Sequence, residues 1–113
     1  MSGNLPKNLA VKIYKLTKTP NLSKDFGLRD QIHRAAVSIP VNISEGDELG
    51  TNKQSIRNFY IVKGSVAELQ TLLIISNEID YIDNEKMNTL NNECNLISVM
   101  LNKHIKARRP NDL

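Results

Sequence analysis

The stretch LRDQIHRAAVSIPVNISEG, residues 28–46, sets Leu28, Ile32, Ala35, Ala36, Ile39 and Ile43 at the three- and four-residue spacing of one helix face, yet places a proline, Pro40, well inside it. A proline there removes the amide that would bond the Ala36 carbonyl and presses its ring against the same carbonyl, at a cost of about 3 kcal/mol. A helix that keeps it needs compensation from packing. Pro40 reads either as a fixed bend that lets the helix wrap its neighbours, with the Ser38 hydroxyl repairing part of the lost bonding, or as a hinge that moves on partner binding. The expected compensation is close backbone approach between Ala35 and Ala36 and a small patch at Gly64, Ser65 and Ala67 on the next helix.

Working outward, Ser23 or Asp25 caps this helix and Gly46 suits its C-terminal cap, giving residues 25–45. Upstream, Leu9, Ala10, Ile13 and Leu16 mark a first helix over about 6–18, with Lys12, Lys15 and Lys18 on its other side, and TPNLS closes it. Downstream, GDELGTN is a loop, and Thr51 or Asn52 caps a third helix to about residue 80. Its core series is Phe59, Val62, Val66, Leu69 and Leu73, but Tyr60, Ile61, Ala67, Leu72, Ile74, Ile75 and Ile79 project elsewhere, leaving Lys63, Gln70 and Asn77 as a narrow polar strip. A helix so apolar around its girth must be central or lie at a subunit interface. Asp83 caps a fourth helix over about 83–108, where Met87, Leu90, Cys94, Ile97 and Leu101 form a heptad seam and Pro110 stops the chain of turns. Short connections make neighbours antiparallel, so the expectation is one all-α domain over residues 1–113, an antiparallel up-down-up-down four-helix bundle.

The 113 residues carry 15 basic and 12 acidic side chains, a net charge of +3 too small to name a polyanionic partner by itself. With one cysteine, Cys94, no intrachain disulfide forms, and the longest unbroken apolar run, LLII at 72–75, is far short of a membrane span, so the protein is expected in the cytoplasm and away from membranes. No nucleophile–base set, phosphate loop or zinc spacing is present, and no cofactor or metal is expected. Glu45, Asp47 and Glu48 crowd one loop but read as solvated charge rather than a Mg²⁺ site, and a metal-dependent nuclease built on Glu45 and Asp47 is a third, minor reading. His33 and His104 read as surface residues, and Cys94 as a small core residue. Asn42 and Glu45 border the apolar stripe and Glu68 interrupts the apolar surface of the third helix. An ion pair from Arg29 or Arg34 to Glu68 or Glu45 is therefore expected.

IYKLTK at 13–18, FGLRDQIHRAAVSIPVNISEG at 26–46, GSVAELQ at 64–70 and EIDYID at 78–83 together resemble the four-helix bundle proteins encoded in intervening sequences of bacterial 23S ribosomal RNA genes. The accessory variability protein of diversity-generating retroelements is similar in pattern. The resemblance implies a ring-shaped homopentamer that binds nucleic acid and, in the retroelement branch, a reverse transcriptase. It also draws attention to Pro40, Arg34, Asn42, Glu45, Gly46, Gly64 and Glu68 as structural or interface positions. Three departures stand out: NLPKNLA lacks the usual aromatic, Asp47 and Glu48 follow Gly46 where basic residues are common, and Lys63 replaces a small apolar residue.

The basic side chains Lys12, Lys15, Lys18, Lys103, Lys106, Arg108 and Arg109 are either solvated helix faces or phosphate contacts. A ring would repeat each small cluster, so that weak contacts add through avidity. The functional expectation is a non-enzymatic, homo-oligomeric bundle that binds RNA or DNA without sequence preference, accessory to a nucleic-acid-processing partner. The alternative is a protein–protein scaffold that never meets nucleic acid.

Overall fold

A computed structural model describes residues 4–109, and all the regular structure among them is helical: α1 (Asn4–Leu16), α2 (Pro20–Lys24), α3 (Phe26–Glu48), α4 (Asn52–Glu78) and α5 (Asn84–Arg108). Pro110 lies outside the described residues. The caps follow side-chain chemistry. Asp25 accepts from the Leu28 amide, Thr51 from Gln54 and Asp83 from Lys86, each satisfying a donor that the first turn leaves unpaired.

Two boundaries differ from the sequence reading. TPNLS does not simply end the first helix, because Pro20, with its φ preset for a first turn, starts the short helix α2 that drops Leu22 into the core. Gly46 is not a cap. The helix continues to Glu48 and Leu49 closes it, while Gly46 stays helical and lies against the ring of Phe59 on α4. A Cβ at residue 46 would sit 2.6 Å from Phe59 Cε1, so this glycine is demanded by close approach rather than by turn geometry.

One core joins all five helices. Leu9 and Ile13 of α1, Leu22 of α2, Ile32, Ile39 and Ile43 of α3, Phe59, Val66 and Leu73 of α4, and Cys94, Ile97 and Leu101 of α5 form a single buried cluster. α3 packs on α4, α4 on α5, and α1 closes the circuit by touching both α3 and α5. Along α3 and α4 the pairing runs in opposite numerical order: Ser55 donates to the Gly46 carbonyl, Asn58 reaches Asn42, and Ser38 donates to Ser65.

Those same bonds answer the question raised by Pro40. Ser38 spends its hydroxyl on Ser65, not on the vacated carbonyl of Ala36, and the turn around the proline is pinned by Asn42 Nδ2 donating to the Ser38 carbonyl at 2.8 Å and by Asn58 donating to the Asn42 carbonyl. Ala35, Ala36 and Ile39 are buried beneath them. The expected small-residue contact is only partly present: Ser65 meets α3, whereas Gly64 and Ala67 are exposed and an added Cβ at Gly64 meets nothing within 4 Å. The close approach occurs two turns away, at Gly46.

The polar strip of α4 faces α5. Lys63 donates to Asn102 at 2.8 Å, Gln70 to Asn91 and Asn95 at 2.9 and 2.8 Å, and Asn77 to Asn84 at 2.8 Å. The strip is a ladder of side-chain amides against α5, and the outward side of α4 carries Tyr60, Ile61, Ile74, Ile75 and Ile79 interrupted by Glu68 and Thr71.

His33 is half-buried rather than a surface residue. Its ring stacks on Tyr14 with centroids 3.9 Å apart, and its Nε2 lies 2.6 Å from Thr17 Oγ1, tying α1 to α3. Burial first, then the nearby Arg29 charge, lowers its pKa. A depressed imidazole resists protonation only while folded, so its stabilising contribution is present above the unfolded value of 6.5 and is lost as pH falls through the folded value. The melting temperature should therefore drop on acidification below pH 6.5, and less so in His33→Gln.

Cys94 is buried in the α5 seam, and its thiol is pushed up to about 12, chiefly by burial and then by the Glu93 charge. Thiol-directed reagents should label it only after denaturant is added. Gly46→Ala, although it improves helix propensity, should lower stability by about 1–3 kcal/mol because Phe59 is fully buried and has no room to yield. Gly27→Ala, where space is open, should be near neutral in the same thermal melt.

Candidate nucleic-acid interface

The seven basic residues picked out in the sequence do not form one surface. On α1, Lys12 is paired with Glu93 of α5 at 3.0 Å, and Lys15 lines with it a groove of about 430 Å³ that also holds Glu85 and Lys86. Lys18 is exposed in the turn that follows α1. Lys12 and Lys15 therefore neighbour the first half of α5, whereas Lys103, Lys106, Arg108 and Arg109 belong to its last turns, roughly 15–35 Å further along at 1.5 Å per residue.

The far end is built from Phe59 upward. Because Gly46 lets α3 approach Phe59, the ring is held in place, and Arg108 lies over it with its guanidinium carbon 5.0 Å from the centroid. His104 meets the same ring edge-on with centroids 6.0 Å apart. Arg108 reaches His104 Nδ1 at 3.1 Å, and since a guanidinium only donates, that nitrogen is the acceptor and the imidazole is neutral. The His104 pKa is lowered, foremost by burial and further by adjacent positive charge that includes Arg108. Like His33, His104 is half-buried, not a surface side chain. Arg108 also pairs with Asp47 at the end of α3, at 3.8 Å. Arg109 donates to the Tyr60 hydroxyl.

Beside this cluster, Asn52, Lys53, Ile56, Arg108 and Arg109 line an open cavity of about 380 Å³ between the start of α4 and the end of α5. Arg57, one turn beyond Lys53, and Lys103 and Lys106 on α5 are exposed. Sequence reading missed Lys53 and Arg57. The available signal was their position: α4 opens with no acid in its first turn and carries Lys53 there instead, where the positive end of the helix dipole disfavours a cation. Such a site gains from an anion in proportion to what it loses without one.

The other candidate positions divide clearly. Pro40 lines a groove with Pro6, Lys7, Val41, Ile43, Ser44 and Glu45 on the far side of α3 from α4. The expected ion pair to Glu68 or Glu45 is not made among the described residues. Arg29 pairs with Asp30 at 3.2 Å and donates to the Ser23 carbonyl at 3.1 Å, while Arg34, Glu45 and Glu68 are exposed, where water solvates them without a partner. Asp47 is engaged by Arg108, and no group of three or more metal-ligating side chains occurs among the described residues.

Comparison with known proteins places this geometry in a family. No curated protein matches the chain. A crystal structure of a protein of unknown function from the S23 ribosomal protein family of Bacteroides thetaiotaomicron superimposes with a TM-score of 0.87 at 27% identity, covering 94% of this chain and 99% of that one. Residues 4–103 match the 23S rRNA-intervening sequence proteins. With nearly the whole helical core inside that match, the chain belongs to the 23S rRNA-intervening sequence protein family.

Proposed function

We propose that the chain is an antiparallel up-down-up-down four-helix bundle without catalytic activity, that it assembles into a homo-oligomer, and that the oligomer binds the phosphate backbone of RNA or DNA through the end formed by α4 and α5. The observation that carries the oligomer is the outward face of α4. Tyr60, Ile61, Ile74, Ile75 and Ile79 are each between 41% and 48% exposed, on a helix whose polar strip is already spent on α5. A monomer leaving that stripe in water forgoes the gain of covering it. By length and composition α4 also reaches what a membrane span requires, but Lys63 and Gln70 bonded to α5 and the side chains it contributes to the core fit a helix that meets protein on both sides.

The nucleic-acid half rests on the convergence of Lys53, Arg108 and Arg109 on one cavity, with Arg57, Lys103 and Lys106 exposed elsewhere on the same two helices. Phosphates would compensate a cation placed at the start of α4, and contacts of this kind are indifferent to base sequence. A ring of five, the number implied by the family resemblance, would present the cluster five times. A processing enzyme such as a reverse transcriptase would then meet nucleic acid already held by the oligomer. The cytoplasm is the compartment that this role requires.

Titration of labelled RNA and DNA at about 50 and 200 mM salt should show affinity falling steeply, by a factor on the order of 10² or more for several phosphate contacts. Lys53→Glu combined with Lys106→Glu should weaken binding at least tenfold at the lower salt without lowering the melting temperature, since an acid suits the first turn of α4 better than a lysine. No binding at low salt would overturn this half and leave the protein-scaffold reading, which the apolar face of α4 equally supports. Light scattering at micromolar concentration should give a mass above one 12.7 kDa chain, and a mass equal to it would remove the oligomer.

A further inference from the structure

The flank shared by α3 and α4 carries two charges that the fold leaves without ion-pair partners. The register set by Ser38 with Ser65 and Asn42 with Asn58 continues one turn toward the start of α3 and brings Arg34 level with Glu68. Both side chains are exposed, and among the described residues neither forms an ion pair.

Their surroundings are what distinguish them. Val37 and Val41, both exposed, follow Arg34 at three- and four-residue steps, the spacing of a helix-packing seam. Ile61 and Ile75, also exposed, lie seven residues to either side of Glu68, and Gly64 one turn before it leaves open space for a neighbour's side chain. Glu68 thus stands in the middle of one outward apolar stripe, and Arg34 at the end of another. Covering Ile61 and Ile75 strips water from Glu68, and a carboxylate so dehydrated requires a cation. A pair formed with Arg34 of the same chain would sit on the rim and leave both isoleucines exposed. A second copy supplies the cation and the apolar cover together.

Symmetry supplies the alignment. A rotation axis parallel to the helices keeps every residue at its own height, so side chains level within one chain are level with each other across the interface. We infer that α4 of one copy packs its Ile61–Glu68–Ile75 stripe on the Arg34–Val37–Val41 stripe of α3 in the next, with Glu68 paired to Arg34 across the junction. This rests on the homo-oligomer reading and assigns it a surface, a polarity and a charge pair.

The test uses the full chain with Arg34→Glu and Glu68→Arg made separately and then mixed in equal amounts, followed by sedimentation velocity at micromolar concentration. Each variant alone faces like charge and should associate at least tenfold more weakly than the parent. The mixture offers opposite charges at its mixed junctions and should regain part of the parent's assembly, a ring of five keeping at least one like-charged junction, whereas the double reversal in one chain pairs opposite charges at every junction and should regain the parent's profile. If the parent is itself a single chain, the oligomer reading fails. If the parent assembles but the single variants assemble equally well, or if neither mixing nor the same-chain double reversal restores any assembly, the oligomer stands and this interface is wrong. Should a reversal variant lose its helical circular dichroism, Arg34→Gln and Glu68→Gln replace the pair, each expected to weaken association and flatten its salt dependence, and parent-like association would equally overturn the assignment.

Discussion

The absence of one carbon atom at residue 46 governs the end of the bundle on which the proposed function depends. Without it, Phe59 lies against the backbone of α3, and a ring fixed there becomes the platform for Arg108 and His104 of α5. Three helices are thereby joined by one aromatic side chain. Arg108 then orients toward Asp47, and Arg109, next along, reaches Tyr60. The cavity beside Lys53 has its walls because that chain of contacts begins with a close packing rather than with charge.

Polarity is distributed in an unusual way around α4. Lys63, Gln70 and Asn77 turn toward α5, while isoleucines face out. Hydrogen bonds between neutral side chains contribute only about 0.5–1.5 kcal/mol each, but they fix which residues lie opposite one another, because a slip of one position would break several at once. The α3–α4 seam uses hydroxyls and amides in the same manner around Pro40. Register is therefore set by polar groups and cohesion by the apolar cluster that they flank.

Most of the helical layout was legible in the sequence. Asp25, Thr51 and Asp83 announced their helices because a capping side chain and the apolar period both point to the same boundary. The apolar girth of α4 was legible for the same reason. What was not legible concerns partners distant in sequence: a glycine followed by acidic residues resembles a helix end, and only the position of Phe59 thirteen residues later reveals that it is a contact. Lys63, Gln70 and Asn77 were visible as a strip, but the row of asparagines that receives them lies on a different helix, and periodicity says nothing about which face turns toward which neighbour. The candidate site was half visible. The cations at the end of α5 stood out as a cluster, whereas Lys53 looked like ordinary surface until folding brought it alongside.

The asparagine and glutamine rungs between α4 and α5 carry no formal charge at any pH the cell reaches, and counter-ions do not shield them. Raising ionic strength thus leaves this seam closed, while it weakens the ion pairs of Lys12 with Glu93 and Arg108 with Asp47. On the proposed reading, salt would shed a bound polyanion without parting α4 from α5.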